Sequence, residues 1–301
     1  MSTLRVNNLE SYTPGNPLNI NDELQMTGST ATGAKSVAFG EAAHSIGEKS
    51  SVLGGYGNEA SASFSAIVGG STNVIKSGSK RSAILGGGNN IVHASGIDFF
   101  QEGLGAIVGG SGNQSYGNYT TIVGGQLNTT YGFGDVALGG RENTISGSRS
   151  TVIGGYQNTV TGSYAVGAGN SNNFVGDHSW GHGFQNTIKA NYASAHGRAN
   201  QVSSSAEYSH TFGRSLHVET PYTMVIGYYN IIGNQAGDQA FVVGGGTGTG
   251  LTPRRNVLEI RTGSVGFILD TGSLPTSAVG LPNGALYRTG SNGDEIRIAL
   301  N

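Results

Sequence analysis

No cysteine occurs in the 301 residues, so neither a disulfide framework nor a thiolate metal site is open to this chain. Charge is scarce as well: 11 % of residues are charged and the formal net charge is −2. A balance this close to neutral gives no electrostatic case for nucleic acid or an anionic membrane as partner. No apolar run reaches the ~18 residues of a membrane-spanning helix, and no heptad stretch offers a coiled-coil stalk. The opening residues Met1 to Asn8 lack an apolar core, so no secretory signal is expected.

Glycine, by contrast, is abundant, with 53 residues. Without a Gly-X-Y period that excess excludes collagen and fits a turn-rich β-solenoid. The repeat is plain to read. One copy is Ala66-Ile67-Val68-Gly69-Gly70-Ser71-Thr72-Asn73-Val74-Ile75, and another is Thr151-Val152-Ile153-Gly154-Gly155-Tyr156-Gln157-Asn158-Thr159-Val160. Anchored on the second glycine, fourteen copies fall at Gly40, Gly55, Gly70, Gly87, Gly110, Gly125, Gly140, Gly155, Gly169, Gly183, Gly197, Gly213, Gly227 and Gly245. Spacings are 14 or 15 apart from four longer steps of 17, 23, 16 and 18. Three residues past the anchor stands an asparagine in eleven copies: Asn58, Asn73, Asn90, Asn113, Asn128, Asn143, Asn158, Asn172, Asn186, Asn200 and Asn230. Self-similarity this short means stacked coils, each touching only its neighbours.

The chemistry of each column gives its place in a coil. A small residue followed by aliphatic ones has the composition of a short buried strand. Glycines reach positive φ and allow a tight corner, and asparagine tolerates the left-handed region. Identical asparagines on successive coils can bond amide to amide. A second short strand follows, as in Thr144-Ile145, and Ser-Gly or Gly-Ser pairs close the second corner. The expected fold is all-β, a parallel β-roll of 14–15-residue coils with strands of about four or five residues. So thin a coil hides less apolar surface than the aliphatic columns offer, and a homotrimer is expected. Residues 1–33 read as a docking or capping segment, 34–250 as the repeat array and 251–301 as a C-terminal β cap protecting an open end.

The segments Lys35-Ser36-Val37-Ala38-Phe39-Gly40 and Ser163-Tyr164-Ala165-Val166-Gly167-Ala168-Gly169 resemble the heads of trimeric autotransporter adhesins, which are trimers of parallel β-rolls. The double glycine and the regular asparagine depart from that pattern. Near the ends, Leu274-Pro275-Thr276-Ser277 with Gly280-Leu281-Pro282-Asn283-Gly284 is similar to the C-terminal segment of phage tail-fibre and structural proteins, and Val6-Asn7-Asn8-Leu9 resembles their opening. These resemblances imply a non-enzymatic structural fibre or adhesin of a phage virion, which attaches to the host cell surface or decorates the particle. Its expected partners are two further copies, other virion proteins and a host surface glycan or protein receptor. Its expected location is the extracellular virion. A glycan depolymerase tailspike and a bacterial trimeric surface adhesin are the alternatives.

Catalysis by a depolymerase needs paired carboxylates about 5–9 Å apart. No acidic residue recurs in one column on neighbouring coils, and only Asp98 and Glu102 lie close, inside an insertion. No catalytic residue and no cofactor are therefore expected. The insertion of eight extra residues between Gly87 and Gly110 carries the receptor-binding candidates Asp98, Phe99, Phe100 and Glu102, because solenoid insertions emerge as loops. Burial of the two phenylalanines against a neighbouring copy is the competing reading. His182 and His196 stand just before consecutive anchors, where other copies have glycine. They form either a stacked, hydrogen-bonded pair or, around a threefold axis, a metal or anion site. Tyr164, His178, Tyr192, Tyr208 and Tyr222 all precede their anchors by five residues. That column is either a stabilising ladder or an exposed surface on which sugar rings stack.

Overall fold

The computed structural model describes residues 24–25, 28–93, 103–230, 239–247, 254–261, 267–269, 285–289 and 295–298, with isolated positions between 274 and 283. Every regular element in them is a strand, and the chain parts into two compact units, residues 1–127 and 128–301. The parting falls inside the expected array of residues 34–250, and each unit is a parallel β-solenoid.

Each turn gives one strand to each of two sheets. In the first unit, one sheet runs in parallel through Val37–Ala38, Ser51–Val52, Ala66–Ile67, Ala83–Ile84, Ala106–Ile107 and Thr121–Ile122. The other runs through Thr30–Ala31, His44–Ser45, Glu59–Ala60, Val74–Ile75, Ile91–Val92 and Gln114–Ser115. In the second unit the first sheet continues the same pattern from Val136–Ala137 to Gln239–Gly245, and the second from Thr129–Thr130 to His217–Val218. Counted on the second sheet there are six turns in the first unit and seven in the second.

Most strands have two residues, fewer than expected. The reason is local. Residues with left-handed backbone stand at both corners of a turn, such as Glu142 (φ 57°) and Arg149 (φ 57°), and confine the extended run between them to Thr144–Ile145. The anchor glycine is left-handed too. At Gly140 (φ 84°) an added Cβ would collide with the carbonyl oxygen of Gly155 on the next coil, so no other residue fits. The first glycine of each pair is different: a Cβ at Gly69, Gly86 or Gly139 would meet nothing within 4 Å. Coils of 14 residues dispense with it. From Trp180 onward the first-sheet strands accordingly lengthen to five residues, as in Trp180–Phe184 and Ser194–Arg198.

One residue of each strand faces inward. Val52, Ile67, Ile84, Ile107 and Ile122 from the first sheet oppose Ala60, Ile75 and Val92 from the second, all fully buried. In the second unit Phe174 is the largest wholly buried side chain. Room for it is made across the core, where Gly167 and Gly181 occupy the inward position of their strands. A Cβ on Gly167 would lie 2.9 Å from Phe174 Cδ2, and one on Gly181 2.7 Å from Phe174 Cζ.

The parallel stack ends at Gln239–Gly245. In its register Gly227 faces Gly244, so the last anchor is Gly244 and not Gly245. The strand Asn256–Arg261 then pairs antiparallel with Gln239–Gly245, and Phe267–Leu269 antiparallel with Asn256–Arg261. Leu286–Thr289 and Glu295–Ile298 form a separate antiparallel pair. The fourteenth copy thus closes no further turn among the described residues.

Overpacking is the expected result of filling the space opposite Phe174. Gly167→Ala should lower stability by about 1–3 kcal/mol, and Gly167→Ala combined with Phe174→Leu should regain most of that loss. Equilibrium denaturation of the two variants measures both effects; an unperturbed single variant would show that the core has slack there.

Candidate functional site

The receptor-binding candidates Asp98, Phe99, Phe100 and Glu102 lie outside the described residues. Their setting is defined. Ile91–Val92 before the insertion pairs with Gln114–Ser115, and Ala106–Ile107 after it pairs with Ala83–Ile84. The strands on both sides of the insertion therefore keep the register of the stack.

The asparagine column is a continuous hydrogen-bonded ladder within each unit. Asn58, Asn73, Asn90, Asn113, Asn128, Asn143, Asn158, Asn172, Asn186 and Asn200 are all buried. Asn143 shows the pattern. Its Nδ2 donates to Asn128 Oδ1 at 2.9 Å and to the carbonyls of Gly139 and Gly155 at 3.2 Å. Its Oδ1 accepts from the backbone N–H and the Nδ2 of Asn158 at 3.0 and 2.9 Å. One side chain thus ties the glycine corner of its own coil to the next coil on each side. The ladder ends at Asn200, whose Oδ1 accepts from the N–H of Leu216. Asn230, although in the expected column, reaches back instead to the N–H and carbonyl of His217.

The two sheets present different outer surfaces. On the first sheet of the first unit the residues after the core position are apolar, Leu53, Val68, Leu85, Val108 and Val123, while those before it are small and mixed, Ser51, Ala66, Ala83, Ala106 and Thr121. The first group is large and open to solvent, with Leu53, Val68 and Leu85 about half exposed. The corresponding outward column of the second unit holds Leu138 and Ile153. The second sheet shows a polar surface there. Asn173, Thr187, Lys189, Gln201, Ser203 and His217 line a groove that also holds Glu219. His217 Nε2 lies 3.1 Å from Ser203 Oγ and 3.3 Å from Glu219 Oε1. Burial lowers the pKa of His217, while Glu219 raises it more weakly, so the contact near neutral pH is a hydrogen bond rather than a charge pair.

Pairing corrects the place of the two histidines. Val152 faces Gly167, Gly167 faces Gly181, and His182 faces His196 and then Phe212. Counted from the strand, His182 and His196 stand where Ile153 stands two coils earlier, not where a glycine does. The column is aliphatic at Ile153, aromatic from His182 to Phe212, and aliphatic again at Ile226 and Val243. The two Nδ1 atoms are 2.8 Å apart. His182 is exposed, and His196 is only 6 % exposed, stacked on Phe212 and met edge-on by Trp180. Burial, followed by the nearby His182 and His210, lowers the His196 pKa and keeps its imidazole neutral. The ladder fixes both backbones, since Asn186 and Asn200 donate to the carbonyls of His182 and His196.

Tyr164, His178, Tyr192, Tyr208 and Tyr222 form a stack with centroid separations of 4.7–5.2 Å and interplanar angles of 2–5°. Each has left-handed backbone, and so do Lys49, Phe64 and Arg81 at the same corner of the first unit, where Lys49 lies 4.8 Å from the Phe64 ring centre. Rings covered face to face by their neighbours offer a ligand only their edges. At one end of the stack Arg149 lies over the Tyr164 ring, and at the other Tyr222 is 71 % exposed, which leaves it the most open ring face of the column.

Asp135 is the one fully buried carboxylate among the described residues, in a position that Ser150 and Thr120 take on other coils. It accepts from the N–H groups of Gly132 and Ser150 at 2.8 and 3.0 Å. Burial outweighs these bonds and raises its pKa to about 6.

Against models of protein families and against the curated proteins, the chain has no match.

Two substitutions test these networks. Asn143→Ala should cost about 1–3 kcal/mol, because it leaves buried N–H and C=O groups of its neighbours unpaired; an unchanged denaturation midpoint would make the column a turn preference alone. Asp135 binds its proton more tightly in the folded chain than in the unfolded one. The stability this contributes is complete below the unfolded pKa near 4 and is lost as pH rises through about 6. Stability should thus fall between about pH 4 and pH 6, and Asp135→Asn should flatten that fall in paired melting curves.

Proposed function

We propose that this chain is a non-enzymatic structural fibre or adhesin of a phage virion, working as a homotrimer that attaches to the host surface or decorates the particle. The observation that carries the reading is the apolar outer face of the first sheet. The inward residues already fill the core, so Leu53, Val68, Leu85, Val108 and Val123 have no partner site within their own coil stack. An exposed apolar face of this kind marks a contact surface. Its side chains repeat once per coil, at the ~4.8 Å spacing of β-stacking. A second copy of the same solenoid carries the same repeat and meets every row in register, which an irregular partner does not. The resemblance of the repeats to trimeric adhesin heads supports three copies, and that of the chain ends to phage structural proteins supports the virion.

In this reading the polar second sheet faces outward. Its amide, hydroxyl, imidazole and carboxylate groups around Gln201 and His217 suit hydrogen bonding to a host surface glycan. The 94–102 insertion with Asp98, Phe99, Phe100 and Glu102 offers a second surface for a receptor.

Sedimentation of the full chain at micromolar concentration should give the mass of three chains. Leu85→Glu with Val108→Glu should give monomers of unaltered β content, since buried unpaired carboxylates are strongly unfavourable at an interface. A folded monomer from the parent chain would overturn the trimer. Labelling of intact particles with subunit-specific antibodies, viewed by electron microscopy, tests the virion location.

A further inference from the structure

The His182–His196 contact differs from every other ring pair on its column and on the tyrosine column. The tyrosine stack is parallel to within 5°, and His196 lies on Phe212 at 19°. His182 and His196 are tilted by 52°, with ring centres 4.7 Å apart. The tilt gives up face-to-face contact and brings the two Nδ1 atoms to 2.8 Å. Two imidazole nitrogens bound at right angles to one metal ion, with bonds of about 2.0–2.1 Å, are separated by about 2.9 Å. The pair therefore has the spacing of two ligands of a single ion.

Within one chain the ligand set is incomplete. No group of three or more His, Cys, Asp or Glu side chains that could hold an ion exists among the described residues. The pair also lies on the column that includes Leu138 and Ile153, the face assigned above to contact between copies. His196 Nε2 is buried and has no hydrogen-bond partner in its own chain.

We propose that Nδ1 of His182 and Nδ1 of His196 are ligands of a divalent transition-metal ion at the axis between copies, where three chains supply six imidazole nitrogens. Imidazole suits zinc, copper, iron and nickel, and six ligands exceed the four of a structural zinc site. Without the ion, one Nδ1 donates its proton to the other. The inference rests on the self-association proposed above.

The test uses the full chain stripped with a chelator and then dialysed against Ni²⁺, with bound metal measured by mass spectrometry and particle mass by sedimentation. About one Ni²⁺ per three chains should be retained, with a higher melting temperature that the chelator reverses. His182→Gln, at an exposed position, should abolish retention while leaving the fold intact. His196→Phe, which extends the ring stack to Phe212, should do the same. Trimers that retain no Ni²⁺, or that retain it equally in both variants, overturn the metal site and leave self-association standing. A parent chain that sediments as a monomer overturns both.

Discussion

Everything in this protein depends on parallel stacking of one coil on the next with backbone groups in register. Once residue n must lie over residue n+14 or n+15, a side chain of the stack belongs to a column. At the corners the backbone turns left-handed on each coil, a conformation that is costly for residues with a Cβ. The stack compensates by giving those side chains neighbours they can stack on. Tyrosines stack on tyrosines and a lysine lies over a phenylalanine. Asparagine amides bond amides where the corner glycine carbonyls need donors.

The fold was legible because two columns, glycine and asparagine, recur at the same spacing. Counting from glycine also explains what was misread. Only the second glycine of a pair is sterically required, so coils of 14 residues drop the first, and a count from the anchor then slips by one against the strand. That slip put His182 and His196 in a glycine place, although backbone pairing puts them in the place of Ile153. A similar slip made Gly245 the last anchor in place of Gly244, because three consecutive glycines leave the choice open to the eye. Compensation of Phe174 by Gly167 and Gly181 was invisible for another reason. It acts across the core, between columns that the repeat does not relate by spacing. Strand length was overestimated because corner residues such as Arg149 and Glu142 carry no sign in the sequence of their left-handed backbone.

The functional reading likewise follows from columns. A side chain column on the outside of a strand is a stripe, and the leucine and valine stripe of the first sheet runs beside a mixed row of alanine, serine and threonine. On the proposed reading the contact surface runs along the described coils. The exceptions are few and local: the buried Asp135, the tilted histidines, the polar groove near Gln201 and the insertion. Each breaks the repeat, and a repeat is most informative where it is broken.

The insertion has a further consequence, for the order of folding. Nearly every tertiary contact in a unit joins residues one coil apart, so ordered structure can start on any pair of coils and grow by adding neighbours. Such growth closes loops of the same small size at each step. The largest departure is at the insertion, where Ile84 pairs with Ile107, and Ile91 with Gln114, across 23 residues. Relative to a 15-residue step, that closure costs only about 0.4 kcal/mol more in chain entropy. The long loop thus adds little to the barrier, and the first unit can carry it while its coils still assemble one after another.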